Sequence, residues 1–165
     1  TMLWINDLVI EWRLFNLQSE VPFDGVFLFS CQFYQRLMMD GTTRVKNIKK
    51  FDKQVLLMPV NLPGHWITVG VGMRKLQDGF YHVTIASFDS DKDSAPEDCI
   101  RVIAAWLRVE AEARGVEVNI GRRLVGTPRQ RNSFDCGVFV LMVIEHLSSD
   151  IRRALWVIEH GENIH

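Results

Sequence analysis

The chain has 165 residues, 47% of them hydrophobic and 24% charged, with a formal net charge of −1. That length and balance fit one globular domain over residues 1–165. The near-neutral charge argues against a nucleic-acid footprint, and no apolar run approaches the roughly 20 residues of a membrane-spanning helix. Three cysteines, Cys31, Cys99 and Cys136, cannot all pair and lack the close spacing of a zinc site, so a disulfide scaffold is not expected and a reducing, intracellular compartment is.

Thr1 precedes a structured segment almost at once, so the chain is expected to be a domain cut from a longer protein. Leu8, Trp12 and Phe15, with Val9, recur at helical spacing behind Asn6 and Asp7, either of which can cap the helix. An apolar run over 23–29 follows, and a short helix over 31–39 stops at Asp40-Gly41. Residues 54–60 are a dense apolar strand ended by Asn61-Leu-Pro-Gly64, and 65–73 alternate, with Ile67, Val69 and Val71 on one face. Residues 74–79 are expected to form a loop longer than a two-residue hairpin, and 80–88 resume a strand. Ser94, Pro96 and Glu97 make a capping-box start for a helix that buries Ile100, Ile103, Ala104 and Leu107 and ends near Gly115. A strand over 116–120, an apolar helix over 136–147 and a last helix to His160 complete an α+β class. Its central mixed sheet is flanked by helices.

A nucleophilic cysteine attacks as the thiolate, which the positive N-terminal end of a helix stabilises. Cys136 stands at such a position, after the polar Asn132-Ser-Phe-Asp135 and before Gly137, which lets backbone approach a substrate carbonyl. Its own N–H is placed to face a developing oxyanion. Cys31 and Cys99 sit among apolar neighbours and read as small core residues. Of five histidines, His65 is distinct because it stands where the Pro63-Gly64 turn enters a strand. His82 is inside a strand, His146 on a helix, and His160 and His165 near the end of the chain. Asp89 ends the strand over 80–88, so antiparallel pairing with the strand from His65 would bring carboxylate to imidazole; Asp91 and Asp93 are rivals deeper in the loop, and Asp98 suits a helix start. Gln130, in the polar loop before Cys136, is a candidate side-chain oxyanion donor.

Gln130-Arg-Asn-Ser-Phe-Asp-Cys-Gly-Val-Phe139 resembles the nucleophile motif of the Ulp/SENP family of SUMO-specific cysteine proteases. Trp4-Ile-Asn-Asp7, Pro59-Val-Asn-Leu62 with His65-Trp66, and Ser87-Phe-Asp-Ser90 are similar to its other segments, in the family's order. The resemblance covers residues 4 to about 147. It implies His65 as general base, Asp89 as its orienting acid, Gln130 as oxyanion donor and Cys136 as nucleophile. It further implies that Trp4 and Trp66 flank a narrow tunnel over a Gly-Gly tail, with an ordinary core aromatic as the alternative reading of each indole. Asp7 is assigned to contact with the modifier's surface, with helix capping as its alternative. The implied protein is a monomer acting on a ubiquitin-like modifier, SUMO foremost, with no metal and no cofactor. It would work in nucleus or cytoplasm, or in a host cell if delivered as an effector.

Three departures from the family pattern stand out: Ser133 where Gly is usual, the long 74–79 turn, and the start of the chain directly on the Trp4 motif. Rival activities within the same clan are deubiquitination or deneddylation, adenovirus-type peptide cleavage, and acetyl transfer. The last needs a coenzyme A site and usually a Glu in place of Asp89. A silent modifier-binding module would carry a damaged triad, whereas all four positions here are filled.

Overall fold

The computed structural model describes residues 6–20, 25–41, 50–91 and 96–161. Along the chain these form α1 (Asp7–Glu20), β1 (Val26–Leu28), α2 (Phe33–Asp40), a 3-10 turn (Lys50–Asp52), β2 (Val55–Leu62), β3 (His65–Gln77), β4 (Phe80–Asp89), α3 (Glu97–Ala113), β5 (Glu117–Gly126), α4 (Cys136–Ser149) and α5 (Ile151–His160). The strands make one sheet in the order β1-β2-β3-β4-β5. The β2/β3 and β3/β4 pairs are antiparallel, while β1/β2 and β4/β5 are parallel. Parallel neighbours need a crossover, and α2 and α3 supply the two.

Helices cover both faces, so the strands in the middle of the sheet are buried twice over. Val55 and Leu57 of β2 join a cluster with Ile10 and Leu14 of α1, Val140 and Ile144 of α4, and Val157 and Ile158 of α5. Leu56, Met58 and Val60 face the other way, toward Phe33 and Leu37 of α2 and Ile103 and Leu107 of α3. Ile67, Val69 and Val71 share that second face, as their alternation predicts. On the first face β3 carries Gly70 and Gly72 instead of large side chains. A Cβ at Gly70 would meet Ile158 Cδ1 and Phe88 Cε2 at 3.1 Å each, so these glycines admit α5 close against the sheet.

Local chemistry sets the element ends. Of the two candidate caps for α1, Asn6 is the one used: its Oδ1 accepts the Val9 N–H at 3.1 Å. Gly41 closes α2 in the left-handed region (φ 69°) and donates to Leu37 O. Asp150 caps α5 by accepting the N–H groups of Arg152 and Arg153. The expected Ser94 cap lies outside the described residues; α3 begins after Pro96 with no side-chain cap.

Two sequence expectations are corrected. Residues 74–77 are strand rather than loop: pairing continues to Gln77↔Phe80 across an irregularity between Lys75 and Gln77, and the turn is the two residues Asp78-Gly79, with Gly79 at φ 74°. All four residues are exposed, so this hairpin arm has no buried face and no alternation to reveal it. The last strand is also longer than expected, running to Gly126 through Arg122 and Arg123. It is the sheet edge, where charged side chains are tolerated and discourage pairing with other chains.

The α1 helix forms where expected, but its apolar stripe is turned outward. Leu8, Trp12 and Phe15 are 73%, 67% and 75% exposed, and the buried face is Ile10, Leu14 and Leu17. Both sets repeat at helical spacing, so periodicity identifies the helix without choosing its inner side.

Candidate active site

The site lies at one end of the sheet, where three strand ends converge. The Pro63-Gly64 turn, with Gly64 at φ 70°, pairs Leu62 with His65 and makes His65 the first residue of β3. Asp89 is the last residue of β4 and pairs with Gly126, the last of β5. From there the chain crosses residues 127–135 and enters α4 at Cys136, and α4 packs on β3, with Thr68 Oγ1 donating to Val140 O at 3.5 Å. Antiparallel β3 and β4 thus bring the start of one beside the end of the other.

His65 Nε2 lies 2.7 Å from Asp89 Oδ1. The same oxygen accepts the Asp91 N–H at 2.8 Å, and Thr127 Oγ1 donates to the Asp89 main-chain carbonyl at 2.5 Å, so the carboxylate has a further donor and its backbone is anchored as well. With Nε2 committed, Nδ1 is the ring nitrogen left for the hydrogen bond between His65 and Cys136. Both bonds, that to Asp89 first, raise the His65 pKa to about 9 against the opposing effect of burial.

Burial pushes the Cys136 thiol up. The hydrogen bond from His65, the Trp66 backbone N–H, the His65 charge and the Gly137 backbone N–H together outweigh it, and the pKa falls below the ordinary thiol value. Cys136 therefore ionises more readily than an isolated thiol while its neighbour holds a proton more tightly, which is the charge pattern of a thiolate–imidazolium pair. The residue is fully buried.

Gln130 is tied to the strand end beside the acid. Its backbone N–H donates to Ser90 O at 3.2 Å, and Ser90 Oγ donates to its side-chain Oε1 at 2.9 Å. The loop that follows is organised by Asn132, whose Oδ1 accepts the N–H groups of Phe134 and Asp135 and whose Nδ2 donates to Asp135 Oδ2 at 2.6 Å. No role for Ser90 or Asn132 was legible in the sequence beyond their places in the motifs. An Asx-type turn before a helix was the available signal for Asn132.

Trp66 is 6% exposed and belongs to the same buried cluster as Cys136. Its indole is therefore packed largely in the core, with a small part left exposed, and its main chain reaches the sulfur. Trp4 lies outside the described residues. Asp7 is exposed in the first turn of α1, where Oδ1 accepts the Leu8 N–H and Oδ2 accepts from Gln32 Nε2 at 3.0 Å.

Cys31, Cys99, His82, His160 and Asp98 stand in other surroundings. Desolvation raises the thiols of Cys31 and Cys99 to about 12 each, reinforced by Glu11 at Cys31 and by the charge of Asp89 at Cys99. His82 sits opposite Arg74 toward the far end of the sheet, and His160 stacks on Trp156 at 3.7 Å. His146 is half-buried on α4, and His165 and Asp93 lie outside the described residues. Asp98 pairs with Arg101 at the start of α3. Among the described residues, no group of three or more His, Cys, Asp or Glu is arranged to hold a metal ion, and no helix is long and apolar enough to cross a membrane.

Residues 26–156 match the Ulp1 protease family, C-terminal catalytic domain. The chain belongs to that family. Sentrin-specific protease 3 of Mus musculus is 32% identical over 153 residues, covering 88% of this chain and 25% of that protein. Sentrin-specific protease 5 of Mus musculus is 33% identical over 155 residues, covering 88% of this chain and 19% of that protein. The chain thus spans a quarter or less of the length of these relatives. In fold it is similar to the crystal structure of a de-sumoylating protease, with a TM-score of 0.80 at 23% identity over 94% of this chain and 66% of the other. The α+β class with a mixed sheet, and the Ulp/SENP resemblance of the motifs, accord with these matches.

Proposed function

We propose that the chain is a thiol-dependent peptidase and isopeptidase that cleaves after the C-terminal Gly-Gly of a ubiquitin-like modifier, SUMO foremost. The observation that carries this reading is the continuous hydrogen-bonded series from Asp89 through His65 to the Cys136 sulfur at the head of α4. The names of its sentrin-specific relatives supply the class of modifier.

The reaction follows from the charges. The Cys136 thiolate attacks the carbonyl carbon of the modifier's terminal glycine, and negative charge develops on the carbonyl oxygen. The Gln130 amide and the Cys136 backbone N–H donate to that oxygen in the transition state. His65 then gives its proton to the departing amine, either a substrate lysine ε-amine or the next residue's nitrogen in a precursor, as the C–N bond breaks and a thioester remains. Water enters, His65 takes one of its protons, the hydroxyl adds to the thioester, and the C–S bond breaks to return the thiolate. Asp89 keeps the imidazole oriented and favours its protonated form throughout.

The Gly-Gly specificity rests on the Trp4 and Trp66 motif positions: aromatic walls exclude side chains and admit glycine. Asp7 is proposed as a contact to the modifier's surface, since its carboxylate is exposed at the start of α1. Three free cysteines suit a reducing, intracellular compartment.

The test is a panel of SUMO, NEDD8 and ubiquitin probes bearing a C-terminal thiol-reactive group. A covalent adduct with at least one probe, absent in Cys136→Ala, is expected. No adduct with any of the three sinks the reading in favour of peptide cleavage, acetyl transfer or silent binding.

A further inference from the structure

We propose that Ser90 is a positioning residue that anchors the Gln130 amide by its Oε1 end, with Nε2 directed away from Ser90. The inference rests on the proposed role of Gln130 as oxyanion donor and extends it to the residue that orients it.

A glutamine amide has two ends of nearly equal size and opposite chemistry. The Nε2 end donates two hydrogen bonds, and the Oε1 end only accepts. Packing cannot tell them apart, because rotation by half a turn about the last side-chain bond leaves the shape almost unchanged. Only hydrogen bonding fixes the choice. An oxyanion is stabilised by Nε2–H and repelled by Oε1, so a donor of this kind is useful only in one of its two orientations.

Ser90 supplies one such bond; because a hydroxyl can donate or accept, it anchors the amide rather than selecting its end unaided. Its hydroxyl donates to Gln130 Oε1 at 2.9 Å, which turns Nε2 away from Ser90 and leaves both of its hydrogens for other partners. A second link, Gln130 N–H to Ser90 O at 3.2 Å, fixes the main chain from which the side chain extends. Ser90 is 4% exposed, so water competes little for its hydroxyl. It also directly follows Asp89, whose carboxylate holds His65. One short segment at the end of β4 thus orients the acid–base pair through residue 89 and the oxyanion donor through residue 90, although Gln130 lies 40 positions along the chain from Ser90.

Ser90→Ala removes one oxygen atom and leaves the Gln130 amide free to sample both orientations. Losing an oxyanion-hole donor outright, as in Gln130→Ala, costs about 100-fold or more in kcat, so losing its orientation is expected to cost kcat about tenfold with KM little changed. Turnover is read with SUMO, NEDD8 or ubiquitin carrying a C-terminal aminocoumarin amide, whichever forms the Cys136 adduct.

The deciding measurement is the double variant. Ser90 acts through Gln130, so adding Ser90→Ala to Gln130→Ala is expected to lower kcat no further, and the pH dependence set by His65 is expected to stay unchanged in Ser90→Ala. Ser90→Thr keeps the hydroxyl and is expected to retain more turnover than Ser90→Ala. If Ser90→Ala loses turnover equally in the presence and absence of Gln130, or shifts the His65 limb, Ser90 supports the fold or the acid instead, and the inference is overturned. Full turnover in Ser90→Ala while Gln130→Ala is crippled overturns it and leaves the proposed function standing. Full turnover in Gln130→Ala overturns both the donor assignment and the inference built on it.

Discussion

His65 Nε2 and Asp89 Oδ1 are 2.7 Å apart, although 24 positions separate the residues in the sequence. The distance is set by the hairpin between them: β3 starts at His65, β4 ends at Asp89, and antiparallel pairing folds one end back on the other. The length of the projecting arm at 74–81 is therefore irrelevant to the pair, because extra residues there add rungs at the far end.

The pH dependence follows from this contact. His65 has a folded pKa raised to about 9, so its protonated form stabilises the site fully below the ordinary histidine value, and that contribution is lost as pH rises through about 9. Cys136 is shifted the opposite way: its thiolate contributes above the ordinary thiol value, and the contribution is lost as pH falls through the lowered one. The reactive pair is populated between the two limits. A bell-shaped profile of kcat/KM is expected, with its alkaline limb near 9. Asp89→Asn removes the largest cause of the His65 shift, so its alkaline limb is expected to move to lower pH. An alkaline limb that stays in place in Asp89→Asn would refute the coupling.

Thiol chemistry is expected to separate the three cysteines. All three are buried, but the pKa values of Cys31 and Cys99 are raised to about 12, whereas that of Cys136 is lowered. Brief treatment with iodoacetamide near neutral pH is expected to add one carbamidomethyl group to the native chain and none to Cys136→Ala, as read by intact mass. Equal labelling of both proteins would contradict the assignment of the reactive thiol.

Trp66→Ala is expected to act on stability as well as on turnover. A Trp side chain that is 6% exposed and packed in the main cluster leaves a large cavity when truncated, with a cost of about 3–5 kcal/mol. Trp66→Phe retains most of the packing and all of the backbone N–H, and is expected to recover most of that loss. Chemical denaturation of the three proteins measures this, and native-like stability in Trp66→Ala would show that the indole is not a core residue.

Lys50 is 1% exposed, 3.1 Å from Glu110, and its ammonium lies 4.8 Å from the Trp106 ring centroid. Removing one member of a buried pair generally costs about 3–5 kcal/mol. Because Arg114 is within 4.0 Å of the other Glu110 oxygen, Lys50→Met is expected near the lower end, about 3 kcal/mol. Urea unfolding at neutral pH reads the change, and a loss under about 0.5 kcal/mol would show the pair to be a surface-like contact.

The sequence by itself located most of the elements and nominated the residues of the candidate site. Helical and alternating periods located the helices and the buried parts of the strands, because core-facing side chains must repeat with the backbone. His65, Asp89, Gln130 and Cys136 were legible as candidates because each occupies an element end or a polar loop before a helix, and as a set because their order resembles that of the Ulp/SENP motifs. The sequence could not choose between the two apolar stripes of α1, since Leu8, Trp12 and Phe15 share the spacing of the buried set. Nor could it reveal the exposed strand at 74–77, where no face is buried to impose alternation. Tertiary structure decided what depends on contacts between distant positions. The fixed carboxylate of Asp89, the Trp66 N–H at the Cys136 sulfur and the Ser90 hydroxyl on Gln130 each need two segments brought together by the sheet, and hydrogen bonds of that kind leave no period in a linear chain.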